Sequence, residues 1–172
     1  MGDPRKLKKK YESPRKLWDT TRIQEESGLR EEYGLKNTRE LWKSKAELGR
    51  IRREARKLLS KGDKGTEQAK DLLTKIVRLG LGTEATTIED LLSLTLRDVL
   101  ERRLQTQVYK KGFAKSLSQS RQLIKHGFIS INGKKVSVPG YVVPVSEEKL
   151  IAYYKAIDIN AGGANDKAPK SS

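Results

Sequence analysis

The chain has 172 residues, with 37 Lys and Arg against 22 Asp and Glu, which gives a formal net charge of +15. Such an excess of cations opposes compaction until a polyanion neutralises it, and it points to nucleic acid or an anionic membrane surface as partner. The absence of Cys excludes disulfides, thiolate metal sites and Cys nucleophiles, and no apolar run approaches the roughly 20 residues that span a bilayer.

Hydrophobic residues make up 35% and charged residues 34% of the chain. About a quarter charged is usual for a self-sufficient globule, so part of this surface is expected to be completed by a partner. Met1 to Lys10 carries basic residues without an apolar segment or cleavage site, which argues against a secretory signal. Lys6 stands where a myristoylation motif beginning at Gly2 wants Ser or Thr. Cytosolic residence fits these features.

Residues 1–40 lack a sustained apolar stripe and are punctuated by Pro4, Pro14, Gly28 and Gly34, so they read as a basic extension with a short helical piece around Thr20 to Glu26. Lys8, Lys9, Lys10, Arg15 and Lys16 interleave with Tyr11 and Trp18. Cations can bind phosphates there while a ring stacks on an unpaired base, and a Trp18 docked on its own domain is the competing reading. Glu40 to Leu59 is predicted to be the longest helix, with Leu41, Leu48, Ile51, Ala55 and Leu58 on one face. Lys43, Arg50, Arg53 and Lys57, broadened by Arg52 and Arg56, form a basic stripe on the opposite face. Phosphate contact is the functional reading of that stripe and a solvated face the plainer one.

Ser60 to Gly65 reads as a loop, Thr66 to Leu79 as a helix stopped by Gly80 and Gly82, and Thr86 to Leu92 as a short helix. A further helix is expected from Thr95 as cap, with Asp98 in its first turn, to Lys110-Lys111-Gly112. It would present Arg102, Arg103 and Gln107 outward. Ser116 and Gln119 have capping-box spacing, and Gly127 is placed to close the next helix in a left-handed cap. Ile129-Ser130-Ile131 and Val136-Ser137-Val138 alternate around Asn132-Gly133, a hairpin signal, and Pro139-Gly140 turns the chain into Tyr141-Val142-Val143. Lys110, Lys111, Lys115, Ser116, Ser118, Arg121, Gln122 and Lys125 cluster where the two helices meet, and a helix N-terminus flanked by hydroxyls and cations suits a phosphate.

The run Arg102-Arg103-Leu104, Gly112-Phe113-Ala114, Ser116, Arg121 to Gly127, Ile131-Asn132-Gly133 and Pro139-x-Tyr141 closely resembles the "S-four" RNA-binding domain. Leu100 to Val108 resembles the archaeal and eukaryotic branch of the small-subunit ribosomal protein family that carries it. Tyr11 to Lys16, Glu32 to Asn37 and the helix from Arg39 to Leu59 resemble the N-terminal part of that family. The bacterial branch usually has Asp where Gln105 stands, so the resemblance assigns Gln105 no role. Family members that bind zinc do so through N-terminal cysteines, which this chain lacks, so no metal and no cofactor are expected.

The fold class expected is α+β: a basic extension (1–40), a small all-α unit (41–98), a paired-helix and antiparallel-sheet RNA-binding domain (99–157) and a flexible tail (158–172). The resemblance implies a structural ribosomal protein that binds small-subunit ribosomal RNA, nucleates assembly and contributes to translational accuracy. It implies neighbouring ribosomal proteins near where mRNA enters, with no membrane partner, no small-molecule substrate and no enzymatic activity. The alternative is a biogenesis factor acting on precursor ribosomal RNA. His126, the single histidine, can bind terminal helix carbonyls or RNA. Arg102 can pair with Asp98, Lys134 and Lys135 can be merely solvated, and Tyr141, Tyr153 and Tyr154 read as packing residues. Arg121 and Lys125, one turn apart, are expected on the solvent face, so replacing both should weaken RNA binding with little loss of fold.

Overall fold

The computed structural model describes residues 9–61, 66–83 and 85–155. Lys8, the centre of the expected loop at 60–65 and the whole 158–172 tail lie outside the described residues. The order is α1 (Thr20–Glu32), α2 (Thr38–Lys61), α3 (Thr66–Leu79), α4 (Asp90–Ser93), α5 (Leu96–Glu101), α6 (Leu104–Lys110), α7 (Leu117–His126), β1 (Ile129–Ile131), β2 (Lys134–Lys135), α8 (Val145–Glu148) and β3 (Ile151–Tyr153). The α+β class holds.

α2 and α3 form as their periodicity requires. Ile51, Ala55 and Leu58 of α2 bury against Ala69, Leu72 and Ile76 of α3, and Leu91 of α4 closes this small core. α4 starts later than expected because Thr87 and Asp90 bond each other reciprocally, Thr87 N–H to Oδ2 at 2.8 Å and Asp90 N–H to Oγ1 at 3.3 Å. That turn holds 87–89 out of the helix. α1 runs longer than expected, although it has no apolar stripe. Arg22 pairs with Glu26 one turn on at 2.8 Å, and Trp42 of α2 donates its indole N–H to the same carboxylate at 3.2 Å. Polar docking thus joins the apolar contact of Leu29 in holding that helix.

The helix expected from Thr95 to Lys110 is two helices. Thr95 and Asp98 make a capping box that starts α5. Arg103 then becomes extended, with φ −70° and ψ 143°, and bridges Val142. The break is stable because the 139–143 segment satisfies the groups it exposes: Leu104 N–H donates to the Tyr141 carbonyl at 2.7 Å, Gln105 N–H to Pro139 at 3.2 Å and Val143 N–H to Arg102 at 2.9 Å. Thr106 and Gln107 side chains donate to the Leu100 and Glu101 carbonyls, both at 3.0 Å, so the last turn of α5 is capped by polar residues facing inward. Gln107 is therefore buried, as is Arg103. The outward reading of both was mistaken.

α7 ends as expected. Gly127 lies at φ 75° and ψ 34°, and Phe128 N–H reaches the Leu123 carbonyl at 3.0 Å. The Lys135 side chain also crosses where a Cβ at Gly127 would stand. Ser116 accepts from Gln119 N–H at 3.1 Å, but the Gln119 side chain reaches Lys115 N–H at 2.7 Å rather than that of Ser116. Asn132 and Gly133, at φ 52° and 73°, make the primed turn between β1 and β2. The second strand is Lys134–Lys135 and not Val136–Val138, and the third is β3, giving the antiparallel order β2-β1-β3. Past Val136, whose N–H still donates to the Ile129 carbonyl at 3.1 Å, residues 137–143 leave the sheet and form the strap that caps α6.

Leu104, Val108, Leu123, Ile124, Ile129, Val143 and Ile151 form the core of this second unit. A third cluster joins the two units: Leu100 of α5 packs fully buried with Leu41, Tyr33 and Leu35. Leu104 and Ile124 are both 0% exposed, so Leu104→Ala or Ile124→Ala should each cost about 2–5 kcal/mol through the cavity left. Denaturant unfolding that matches the parent in either variant would contradict the inward face of α6 or α7.

Candidate nucleic-acid interface

The turn between α6 and α7 carries most of the polar residues singled out from the sequence. Lys115, Ser116, Ser118, Gln122, Lys125 and His126 are all exposed on it or on the outer face of α7. Lys110 is exposed but pairs with Glu101 at 2.9 Å, and the Lys111 ammonium donates to the Glu148 carbonyl. Exposed ion pairs of this kind are weak, so both lysines stay available to a stronger anion. Lys134 and Lys135 are also exposed, with Lys135 lying over the C-terminal turn of α7.

Two arginines of the set are not free. Arg102 donates to Glu148 at 2.9 Å and to the Val143 carbonyl at 2.9 Å, rather than pairing with Asp98. Arg103 is 5% exposed and donates to Glu40 at 2.6 Å. Both side chains hold the fold together.

The exposed cations of α2 divide among three grooves. Lys43 and Arg50 line one that also receives Lys10, Arg103 and Arg121. Arg53 and Arg56 line a second beside Pro14 and Trp42, while Lys57 faces α3 next to Asp71. Arg52 does not broaden the stripe, because its guanidinium turns to the Leu94 carbonyl. In the N-terminal segment Lys9, Lys10, Arg15 and Lys16 are exposed. Tyr11 packs toward the Trp42 ring, with centroids 6.0 Å apart and the Lys9 ammonium 4.7 Å from its own ring centre. Trp18 is 90% exposed, so it does not dock on its own domain. Tyr141 and Tyr153 pack, donating to Glu147 and to the Phe113 carbonyl, whereas Tyr154 is half exposed.

Two residues that the sequence did not single out organise this surface. Glu40, in the first turn of α2, accepts from Arg103 and also from Arg121, whose Nη2 and Nη1 lie at 2.6 and 3.1 Å. Burial opposes ionisation of Glu40, but the Arg121 hydrogen bonds and the two guanidinium charges outweigh it and hold the carboxyl below the ordinary glutamate range. Burial likewise pulls Arg103 below its usual value against the attraction of Glu40. Gln105, 1% exposed, donates to the Gly34 and Leu117 carbonyls at 2.9 and 3.0 Å and accepts from Arg121 at 3.3 Å. Gly34 permits this approach: its φ is +58°, and a Cβ there would stand 2.9 Å from that of Leu117. Nothing local marks Glu40 or Gln105, since their partners lie up to 81 residues away.

Arg121 and Lys125 are thus unlike each other, contrary to the solvent-facing reading of both. Arg121→Ala should destabilise the fold by about 1–3 kcal/mol by removing charge-assisted hydrogen bonds, while Lys125→Ala should change it by less than ~0.5 kcal/mol. Equal unfolding midpoints for the two variants would refute this difference. Because the Glu40 pKa is depressed in the folded state, its contribution is fully present above the unfolded value of about 4.3 and is lost as pH falls through the folded value. Glu40→Gln should therefore flatten the acid limb of a stability–pH curve below that point. An acid limb as steep as the parent's would show that Glu40 is not its source.

Comparison with known proteins agrees with this architecture. Residues 102–149 match the S4 domain. The "Small ribosomal subunit protein uS4" of Ignicoccus hospitalis is 51% identical over 154 residues, covering 89% of this chain and 93% of the relative. Its namesake from Methanothermobacter thermautotrophicus is 44% identical, covering 90% and 91%, and that from Saccharolobus islandicus is 48% identical, covering 90% and 86%. With identity at this level running through both units and the joint between them, the chain belongs to the uS4 family of small-ribosomal-subunit proteins.

Proposed function

We propose that the chain is a structural constituent of the small ribosomal subunit that binds folded ribosomal RNA directly, with no catalytic role. The observation that carries this reading is the meeting of cations from separate parts of the chain. Lys43 and Arg50 of α2, with Lys10 from the N-terminal segment, share a groove with Arg121 of α7, and α7 itself presents Lys115, Ser116, Ser118, Gln122, Lys125 and His126. An RNA backbone laid across both units would meet cations from all three parts of the chain. Recognition would be by shape and phosphate position, because side chains cannot read the deep groove of A-form RNA. Arg15, Lys16, Arg53, Arg56, Lys110 and Lys111 extend the same positive surface, and Trp18 offers a ring to an unpaired base.

Family membership supports cytoplasmic residence in the ribosome. Early binding during assembly, a contribution to decoding accuracy and contact with neighbouring ribosomal proteins near where mRNA enters complete the proposal. The relatives align with 89% and 90% of this chain and are named as small ribosomal subunit proteins, which favours this reading over a biogenesis factor. Stoichiometric cosedimentation with mature small subunits through a high-salt wash is the expected result, and association confined to precursor particles would move the assignment to a biogenesis factor. On purified small-subunit RNA, log affinity should fall with log salt with a slope of several units, about 0.7–0.9 per neutralised phosphate.

A further inference from the structure

We infer that Glu40 is a positioning residue for RNA recognition, fixing one edge of the Arg121 guanidinium so that its other edge is presented ready-made to a phosphate. This rests on the RNA-binding reading above and adds to it a residue of opposite charge to the ligand-binding set.

The argument starts from the donors of Arg121. A guanidinium has five N–H groups in a rigid fork. Nη1 donates to Glu40 Oε2 and Gln105 Oε1, and Nη2 donates to Glu40 Oε1. Nε and the second Nη2 hydrogen have no acceptor among the described residues. Arg103 shares the same carboxylate, but its Nε is sealed from solvent, whereas the Arg121 side chain keeps 25% of its surface accessible. Arg121 is therefore the member of the pair that can donate outward while Glu40 still holds it.

Its place on the surface suits that task. Arg121 lines the groove with Lys43 and Arg50, and also a second groove with Lys36 and Ser118 on its other side. A sugar–phosphate chain passing from α2 to the N-terminus of α7 would cross it. A free Arg loses rotamer entropy when it is immobilised. Held by Glu40 and Gln105, Arg121 has already lost that freedom on folding, so less is lost on binding.

Net charge alone predicts the opposite effect, which makes the inference testable by sign. Removing a carboxylate from a positive surface should strengthen RNA binding. The experiment compares the full-length wild type, Glu40→Gln and Glu54→Gln for affinity and salt slope on purified small-subunit ribosomal RNA, with thermal melts to establish folding. Glu54 is an exposed acid of the same helix and controls for charge. Glu54→Gln should bind as tightly as wild type or more tightly. Glu40→Gln should bind roughly two- to tenfold more weakly, the effect of one newly mobile side chain, with a salt slope smaller by about one phosphate contact. Affinity for Glu40→Gln equal to or above that of Glu54→Gln would overturn the inference, showing that Glu40 only competes with RNA.

Should Glu40→Gln fail to fold, Arg121→Lys keeps the charge and loses the fork. It should also bind several-fold more weakly, and binding equal to wild type would overturn the inference. Absence of binding by the wild type itself would instead overturn the RNA-binding reading on which the inference stands.

Discussion

The carboxylate of Glu40 is the point on which the rest of the arrangement depends. It neutralises the buried guanidinium of Arg103 and the partly buried one of Arg121. Desolvating a charge without a partner costs several kcal/mol, so Arg103 could not be buried if α2 did not arrive with an acid at that position. The location is favourable for Glu40 as well, because the first turn of a helix stabilises negative charge. This carboxylate therefore ties α2 to residues 103 and 121, beside the apolar contact of Leu41 with Leu100.

A chain with 15 more cations than anions has few acids to distribute. Glu26 holds Arg22 and Trp42, Glu40 holds Arg103 and Arg121, and Glu148 holds Arg102. Each of these acids sits where segments meet. The exposed Lys and Arg on α2, on the outer face of α7 and in the N-terminal segment make no ion pair among the described residues. Acids at the joints and unpaired cations outside give a surface that is positive without being arbitrary in shape. Three separate apolar clusters, with Leu100 and Leu41 packed together in one of them, leave the cationic surface free of the demands of a large core.

Much of the fold was legible. The apolar spacing of α2 and α3, the Ser116 cap, the Gly127 stop and the Asn132-Gly133 turn each depend on neighbours within a few residues, and the structure shows all of them. The exposed cations of the α6–α7 turn and of α2 were legible for a similar reason, since helical phase sends them away from the apolar face. Legibility failed where polar side chains cap or pair inside the protein. Arg103, Gln105, Thr106 and Gln107 form a polar run that reads as surface, yet each is buried and bonded to a distant group or to the broken end of α5. The third strand, Ile151–Tyr153, was not singled out, because the apolar run after the hairpin, Tyr141–Val143, gives its backbone to residues 102–104 instead.

What the sequence by itself determined, then, was which segments are helical, where the hairpin turns, and that the surface is built for a polyanion. Those properties follow from periodicity, capping and charge, which act over a few residues or through composition. Only the tertiary structure decided that the helix breaks at Arg102-Arg103, that Lys43 and Arg50 share a groove with Arg121 while Arg53 and Lys57 face elsewhere, and that Glu40 holds two arginines. These outcomes depend on groups 16 to 81 residues apart that meet only when the chain is folded, and no local pattern encodes which buried charge will find which partner.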